Sequence, residues 1–206
     1  MYIMYELKPF FVIPSAAADG IHVCILKFST WIPHQVRDDS QRPMTLTTHS
    51  IIAAALTKPL MRAHPLLILG AAICSHYLAD AVPHWDYRLS VLKEDVEKHG
   101  LDWSLKTRWK DLAKISFDFF LGAAIVFWLV HPTTTQELWW ATLSVIGGTL
   151  PDFLQGVNLS FIRHPIEPIQ KFHDFCHTKI KLGPYPRIGV PFQLAILGVF
   201  LWILVR

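Results

Sequence analysis

The stretch "HPLLILGAAICSHYLADAVPHWDY", His64 to Tyr87, begins as apolar as a membrane or deep-core segment and ends crowded with ionisable side chains. Pro65 suits the first turn of a helix, and Pro83 should close it by pushing Val82 toward extended backbone. Within that helix His76 and Asp80 are four positions apart, so one turn stacks them on the same face. Beyond Pro83 an extended piece would send His84 and Asp86 to one side, because strand-like backbone alternates with period two. Four imidazole and carboxylate groups then converge where the apolar run stops.

Working outward, Thr47 or Thr48 can cap a helix through "HSIIAAALTKPLM", which Pro59 kinks or ends. The short "RAH" link predicts an antiparallel hairpin with the helix that follows, returning His49 to the His76 end. Downstream lie a polar stretch from Arg88 to Lys114, an apolar helix from Ile115 to Val130 carrying Asp118, and the turn "HPTTTQE". A helix over Leu138 to Leu150 follows, then "PDFLQG" with Asp152, a basic proline-containing loop to about Arg187, and the span "GVPFQLAILGVFLWILV". The expected fold is all-α, a polytopic helical membrane bundle of about four to five apolar helices with its ligand residues at one end. Several of these segments are near or below the ~20 residues that cross a bilayer.

Composition agrees with a membrane environment. Of 206 residues 52% are hydrophobic and only 17% charged, and mean hydropathy is +0.33, so membrane insertion is favoured over an ordinary soluble domain. A net charge of +3 with scattered basic residues gives no Arg/Lys stripe for nucleic acid. Cys24, Cys74 and Cys176 form no CxxC pair, which argues against a disulfide framework or a thiolate zinc site. Arg88, Lys93, Lys98, Lys106, Arg108, Lys110 and Lys114 fall in one expected loop, and Arg163, Lys171, Lys179, Lys181 and Arg187 in another. The turn between the two middle helices has neither Lys nor Arg, so the positive-inside bias predicts both basic loops in the cytoplasm. That orientation brings every candidate ligand into one cytoplasmic layer.

A second i, i+4 pair occurs in "FHDFCHT", where His173 and His177 would share a helical face between apolar walls of Phe172 and Phe175. Asp118 stands alone in "ISFDFFLGAAIVFWLV", and a carboxylate at membrane depth is costly enough to mark function. Each residue also has a plainer use. His49 could sit at a helix start, Asp152 could cap a helix after Pro151, and Asp118 could bond a Trp or Ser of a neighbouring helix. A lone HxxxD is often a simple polar contact. Grouping favours a site, whereas His22, His34, His64, His99, His131 and His164 are ungrouped and read as surface or loop residues.

Residues 1 to 43 follow different rules from the rest. Their apolar pieces are cut by Pro9, Pro14, Gly20 and Pro33, with no sustained helical or strand period and no signal-peptide pattern. They are expected to be a disordered or spurious N-terminal extension, with the helical metal-binding domain occupying 44 to 206.

The phrases "THSIIAAAL", "GAAICSHYLADAVPHWD", "GGTLPDF" and "HDFCH" resemble the bacterial membrane-bound metal-dependent hydrolase family, itself similar to the zinc-dependent phospholipase C and single-strand nuclease group. The likeness covers about Met44 to Arg206. It implies that His76 and Asp80 match the HxxxD metal-ligand pair of the phospholipase group and His49 its early histidine. Where that group carries a late HxxxE, this chain has His173 and His177.

Imidazole and carboxylate ligands without thiolate suit zinc foremost, with manganese or iron as alternatives. In this reading His49, His76, Asp80, His84, Asp86, His173 and His177 hold the metal, and Asp118 or Asp152 bridges ions or serves as base. The expected function is metal-activated hydrolysis of a phosphoester, lipid-linked or small, at the inner face of a bacterial cytoplasmic membrane. The rivals are a non-catalytic membrane protein with a structural or sensing metal, and a soluble helical enzyme that buries its apolar stretches.

Overall fold

The computed structural model describes residues 45–85, 106–160, 166–180, 182 and 184–206. Among them are six α-helices and no strand: α1 (Leu46–Thr57), α2 (Pro65–Asp80), α3 (Lys106–Val130), α4 (Thr135–Ser160), α5 (Glu167–Cys176) and α6 (Pro186–Val205). A single 3-10 turn, Lys58–Leu60, follows α1 where Pro59 ends the regular helix. The all-α expectation holds. The Met44 boundary, the arm before it and Asp86 lie outside the described residues.

A short helix, α1, is the centre of the bundle. Every residue of α1 except Leu56 is buried, and it packs against α2, α3, α4 and α6. Small side chains let its neighbours approach: a Cβ on Gly148 of α4 would lie 2.6 Å from Ala53 Cβ and 2.9 Å from the His49 carbonyl oxygen. A Cβ on Gly122 of α3 would likewise lie 2.7 Å from Thr47 Cα. Close backbone approach of this kind yields helix packing through dispersion without large apolar knobs.

Polar contacts fix the direction of each helix. His49 near the start of α1 stacks on His76 near the end of α2, so these two form the expected antiparallel hairpin. Asp118 and Gly122 of α3 meet the first turns of α1, whereas α4 runs the other way, bringing Trp140 to Thr57 and Gly148 to His49. α6 is parallel to α1: Gln193 donates to Thr48 Oγ1 at 2.9 Å near one end, and Lys58 Nζ donates to the Leu204 carbonyl at 2.7 Å near the other. The buried indole of Trp140 donates to Thr57 Oγ1 at 3.0 Å, and Thr57 and Ser144 hydroxyls bond at 2.7 Å. The far end of α1 is thereby saturated with partners.

Two helices exceed their sequence-predicted lengths. α3 starts at Lys106 and not Ile115, so the basic residues Lys106 to Lys114 ride on a helix and not in a loop. α4 begins at Thr135, where the Thr134 hydroxyl accepts from Glu137 N–H while the Glu137 carboxylate accepts from Thr133 and Thr134 N–H. This reciprocal capping box was legible in "TTQE". α4 then continues through Pro151 to Ser160. Proline removes one helical hydrogen bond and strains the turn before it, but the tertiary contacts on both sides hold the helix together.

Among the described residues two segments are long and apolar enough to cross a membrane, Trp109–Val130 and Pro186–Val205. Only 11% and 17% of their apolar windows are buried inside the protein, unlike the core helix of a soluble domain. Phe120 and Trp128 on α3 and Leu194, Val199 and Trp202 on α6 face outward. α1 and α2, with 12 and 16 residues, are shorter than a perpendicular span requires, so of the expected four to five spans two are clear candidates among the described residues.

Candidate metal centre

At the end of the bundle where α1 begins and α2 stops, imidazoles and carboxylates from four helices meet. α1 supplies His49, α2 supplies His76 and Asp80, α4 supplies Asp152 and α5 supplies His173. The Asp80 carboxylate is central. Its Oδ2 lies 2.9 Å from His173 Nε2 and 3.1 Å from His76 Nε2, and its Oδ1 lies 3.3 Å from His49 Nε2. Asp152 stands slightly back, at 3.7 Å from His173, 3.8 Å from His76 and 3.8 Å from His49. Side-chain exposure in the group is 0% for His49 and His76, 1% for Asp80, 3% for His173 and 6% for Asp152, so bulk water does little to screen it.

These separations are short, but their directions are not those of hydrogen bonds. Both Asp80 oxygens, both His49 nitrogens and Asp152 Oδ2 are buried without a hydrogen-bond partner. Orphaned buried acceptors and imidazoles are expensive, and several gathered around one volume make a group that could hold a cation. The spacing also fits: ligands held ~2.0–2.1 Å from a tetrahedral zinc lie about 3.3 Å from one another. His76 Nε2 and His173 Nε2 are 3.3 Å apart. Nitrogen and oxygen donors without sulfur match zinc, manganese or iron.

The protonation of His76 is set from outside the group. Its Nδ1 lies 2.7 Å from the Gly148 carbonyl, an atom that can only accept, so Nδ1 carries a proton and Nε2 is the ring atom turned toward Asp80 and His173. Metal-ligating histidines are commonly oriented in this way. His84 repeats the device, with Nδ1–H donating to the Val82 carbonyl at 2.7 Å. His84 lies in the extended piece after Pro83, as its sequence predicts, and its ring packs against that of His177 at 4.8 Å. Asp80, His84 and His177 form a further group whose ligand atoms come close enough to share an ion.

Several expectations need correction. His173 and His177 do not share a helical face: α5 ends at Cys176, and His177 has extended backbone, with φ −70° and ψ 134°. His173 therefore turns to Asp80, while His177 turns to His84 and the chain runs back along the α2 end through Thr178 N–H to the Asp80 carbonyl and Leu182 N–H to the His84 carbonyl. Phe172 and Phe175 do not wall the site, since both are exposed, Phe175 at 85%. Asp152 is not a helix cap but lies inside α4, one residue past Pro151.

Asp118 is not brought to the metal-ligand group. Its carboxylate accepts from Leu46 N–H at 2.6 Å, Thr47 N–H at 3.2 Å and Thr47 Oγ1–H at 2.7 Å. It caps the start of α1 from a neighbouring helix, satisfying amides that Thr45 leaves uncapped. The plainer reading of Asp118 as an interhelical partner named the right class of role with different partners. His64, read as a loop residue, caps α2 by accepting from Leu66 N–H at 3.3 Å.

Gln193 was missed. Buried in α6, it accepts weakly from Trp85 N–H at 3.4 Å and donates to Thr45 and Thr48 hydroxyls, tying α6 to residues adjoining His84 and His49. The signal existed, because it is the one amide in the most apolar span of the sequence.

No protein-family model, curated protein or solved structure matches this chain.

Proposed function

We propose that the chain is a membrane-bound, metal-dependent hydrolase of phosphoesters. The observation that carries this reading is the Asp80 carboxylate set among His49, His76 and His173 nitrogens at 2.9–3.3 Å, buried and without hydrogen-bond directionality. The resemblance of "GAAICSHYLADAVPHWD" to membrane-bound metal-dependent hydrolases points the same way. Zinc is the preferred ion. His76, Asp80 and His173 are the ligands in this reading, with His49 and Asp152 beside them and the His84 and His177 pair available to a further ion.

A divalent ion there supplies Lewis acidity, bringing the pKa of an attached water down to about 7 and stabilising developing oxyanion charge. The Gly148 carbonyl, accepting from His76 Nδ1–H, orients the ring so that Nε2 faces Asp80 and His173. In this reading Asp152, set back at 3.7–3.8 Å from the imidazoles, would be the carboxylate that accepts a proton from water. Outward-facing apolar residues on α3 and α6 favour a site at the bacterial inner membrane, and the basic residues near it favour the cytoplasmic side. A lipid-linked phosphoester is the substrate class that this location favours.

One observation favours a second reading, a closed structural or sensing metal site. Asp80, His49 and His76 are at most 1% exposed, leaving little access for substrate. The test is phosphoester hydrolysis by detergent-purified full chain loaded with zinc or manganese, with Asp152→Asn alongside. Turnover that falls at least tenfold in the variant without loss of metal supports the hydrolase; bound metal without turnover supports the closed site.

A further inference from the structure

We propose that α5 is a membrane-interface helix that lays Ile169, Phe172 and Phe175 into the lipid while turning His173 inward to Asp80. This rests on the membrane reading of α3 and α6. In "EPIQKFHDFC" the apolar side chains recur every third residue, so they share one side of a helix, and Glu167, Lys171 and Asp174 occupy the other. His173 is buried at the border of the two sides and reaches Asp80 at 2.9 Å. Ile169 is 43% exposed, Phe172 53% and Phe175 85%, so among the described residues the apolar side of this amphipathic helix is left largely uncovered.

The register of the two candidate spans identifies the occupant. Gln193, bonded to Thr48 beside His49, is seven residues into α6, or about 10 Å along it at ~1.5 Å per residue. Asp118, bonded to Leu46 and Thr47, is four residues past Lys114, the last basic residue of α3, or about 6 Å into the apolar run. Two independent helices thus put the start of α1, and with it the ligand group, below the end of the apolar spans. α5 packs beside that level against α2 and α4, with the Phe172 ring edge-on to Tyr77 at 4.9 Å. Its apolar side therefore faces outward at the depth where α3 and α6 meet acyl chains. Ten residues make about 15 Å of helix, too short to cross a ~30 Å hydrocarbon core, so α5 lies along the boundary with its charged side toward the headgroups. One helix then carries both the membrane contact and a member of the ligand set.

The test is nitroxide labelling of the full chain in phospholipid nanodiscs, with Cys24, Cys74 and Cys176 changed to Ser and single cysteines placed at Ile169, Phe172, Phe175, Lys171 or Asp174. Collision with oxygen, which partitions into lipid, is compared with collision with a water-soluble nickel chelate. The expected ratio of oxygen to chelate accessibility is several-fold higher at 169, 172 and 175 than at 171 and 174. Equal chelate access at all five positions would overturn the proposal, as would shielding of 169, 172 and 175 from both reagents, which would mean a second protein surface on α5. Labels at Phe120 and Val199 separate the two readings: chelate access there defeats the membrane reading itself, while lipid signals there with aqueous signals on α5 defeat only this inference.

Discussion

His76 and His173 are 97 positions apart in the chain, and their Nε2 atoms face each other at 3.3 Å. Because His76 Nδ1–H donates to the Gly148 carbonyl, Nε2 is the ring atom left to meet His173 and Asp80. Two imidazole nitrogens facing each other share one proton in a hydrogen bond or serve as paired ligands of an ion. The Asp80 and Asp152 carboxylates beside them bring negative charge that suits either a divalent ion or protonated imidazoles.

Gly148 underlies this geometry, touching His49 through its Cα and His76 through its carbonyl. Gly148→Ala should place a methyl 2.6 Å from Ala53 Cβ and 2.9 Å from the His49 oxygen, backbone that cannot swing aside. The expected cost is about 1–3 kcal/mol of stability, as for other overpacked interiors. Thermal unfolding in detergent reads it, together with weaker metal retention; unchanged values for both would show that α1 and α4 are not in close contact.

Asp118→Asn separates a capping role from a catalytic one. The amide keeps an acceptor for Leu46 N–H or Thr47 N–H but loses the charge at the start of α1, so stability should fall by about 1–2 kcal/mol. Metal content and any hydrolysis per folded molecule should stay at wild-type levels. A hundredfold loss of turnover with stability intact would restore Asp118 as a base.

Gln193→Leu should loosen the α6 contact with both Thr48 and Trp85. Removing the amide leaves the buried Thr48 hydroxyl short of a donor, for a cost of about 1–3 kcal/mol. Gln193→Glu keeps an acceptor for Trp85 but no donor for Thr48, and should also lose stability. Calorimetry of both variants in detergent checks this; a more stable Leu variant would mean that the polar bridge is dispensable.

Cysteine labelling from each side of the membrane should place residues near Lys98 and Lys179 together and Thr134 opposite. The antiparallel α3 and α4 pair puts the Thr134 turn at the far end from the ligand group. Labelling of Lys98 and Lys179 positions from opposite sides would contradict the positive-inside assignment.

Much of the site was legible because its local spacing survives folding. His76 and Asp80 share a face by helical geometry alone, and the α1–α2 hairpin returns His49 to them through a link too short to do otherwise. His173 could be identified as a candidate but not partnered, since its approach to Asp80 depends on how a distant helix docks. Pro151 misled because local propensity predicts a stop where packing sustains α4, which moves Asp152 from a cap into the helix. The His173 and His177 pair misled for the opposite reason: the spacing allows a shared face, but α5 ends one residue too early. Asp118 was conspicuous for its charge, yet the amides it satisfies lie across the bundle and leave no trace in its own neighbourhood.

The most direct test of the account is the metal content of detergent-purified, folded full chain, measured by elemental mass spectrometry beside Asp80→Asn and His76→Ala. Replacing the Asp80 carboxylate removes the charge that three imidazoles surround while nearly keeping the shape. The account predicts at least one zinc, manganese or iron per wild-type chain and a loss of tenfold or more in both folded variants. Equal metal content in all three, or no metal in wild type after exposure to these ions, would contradict it.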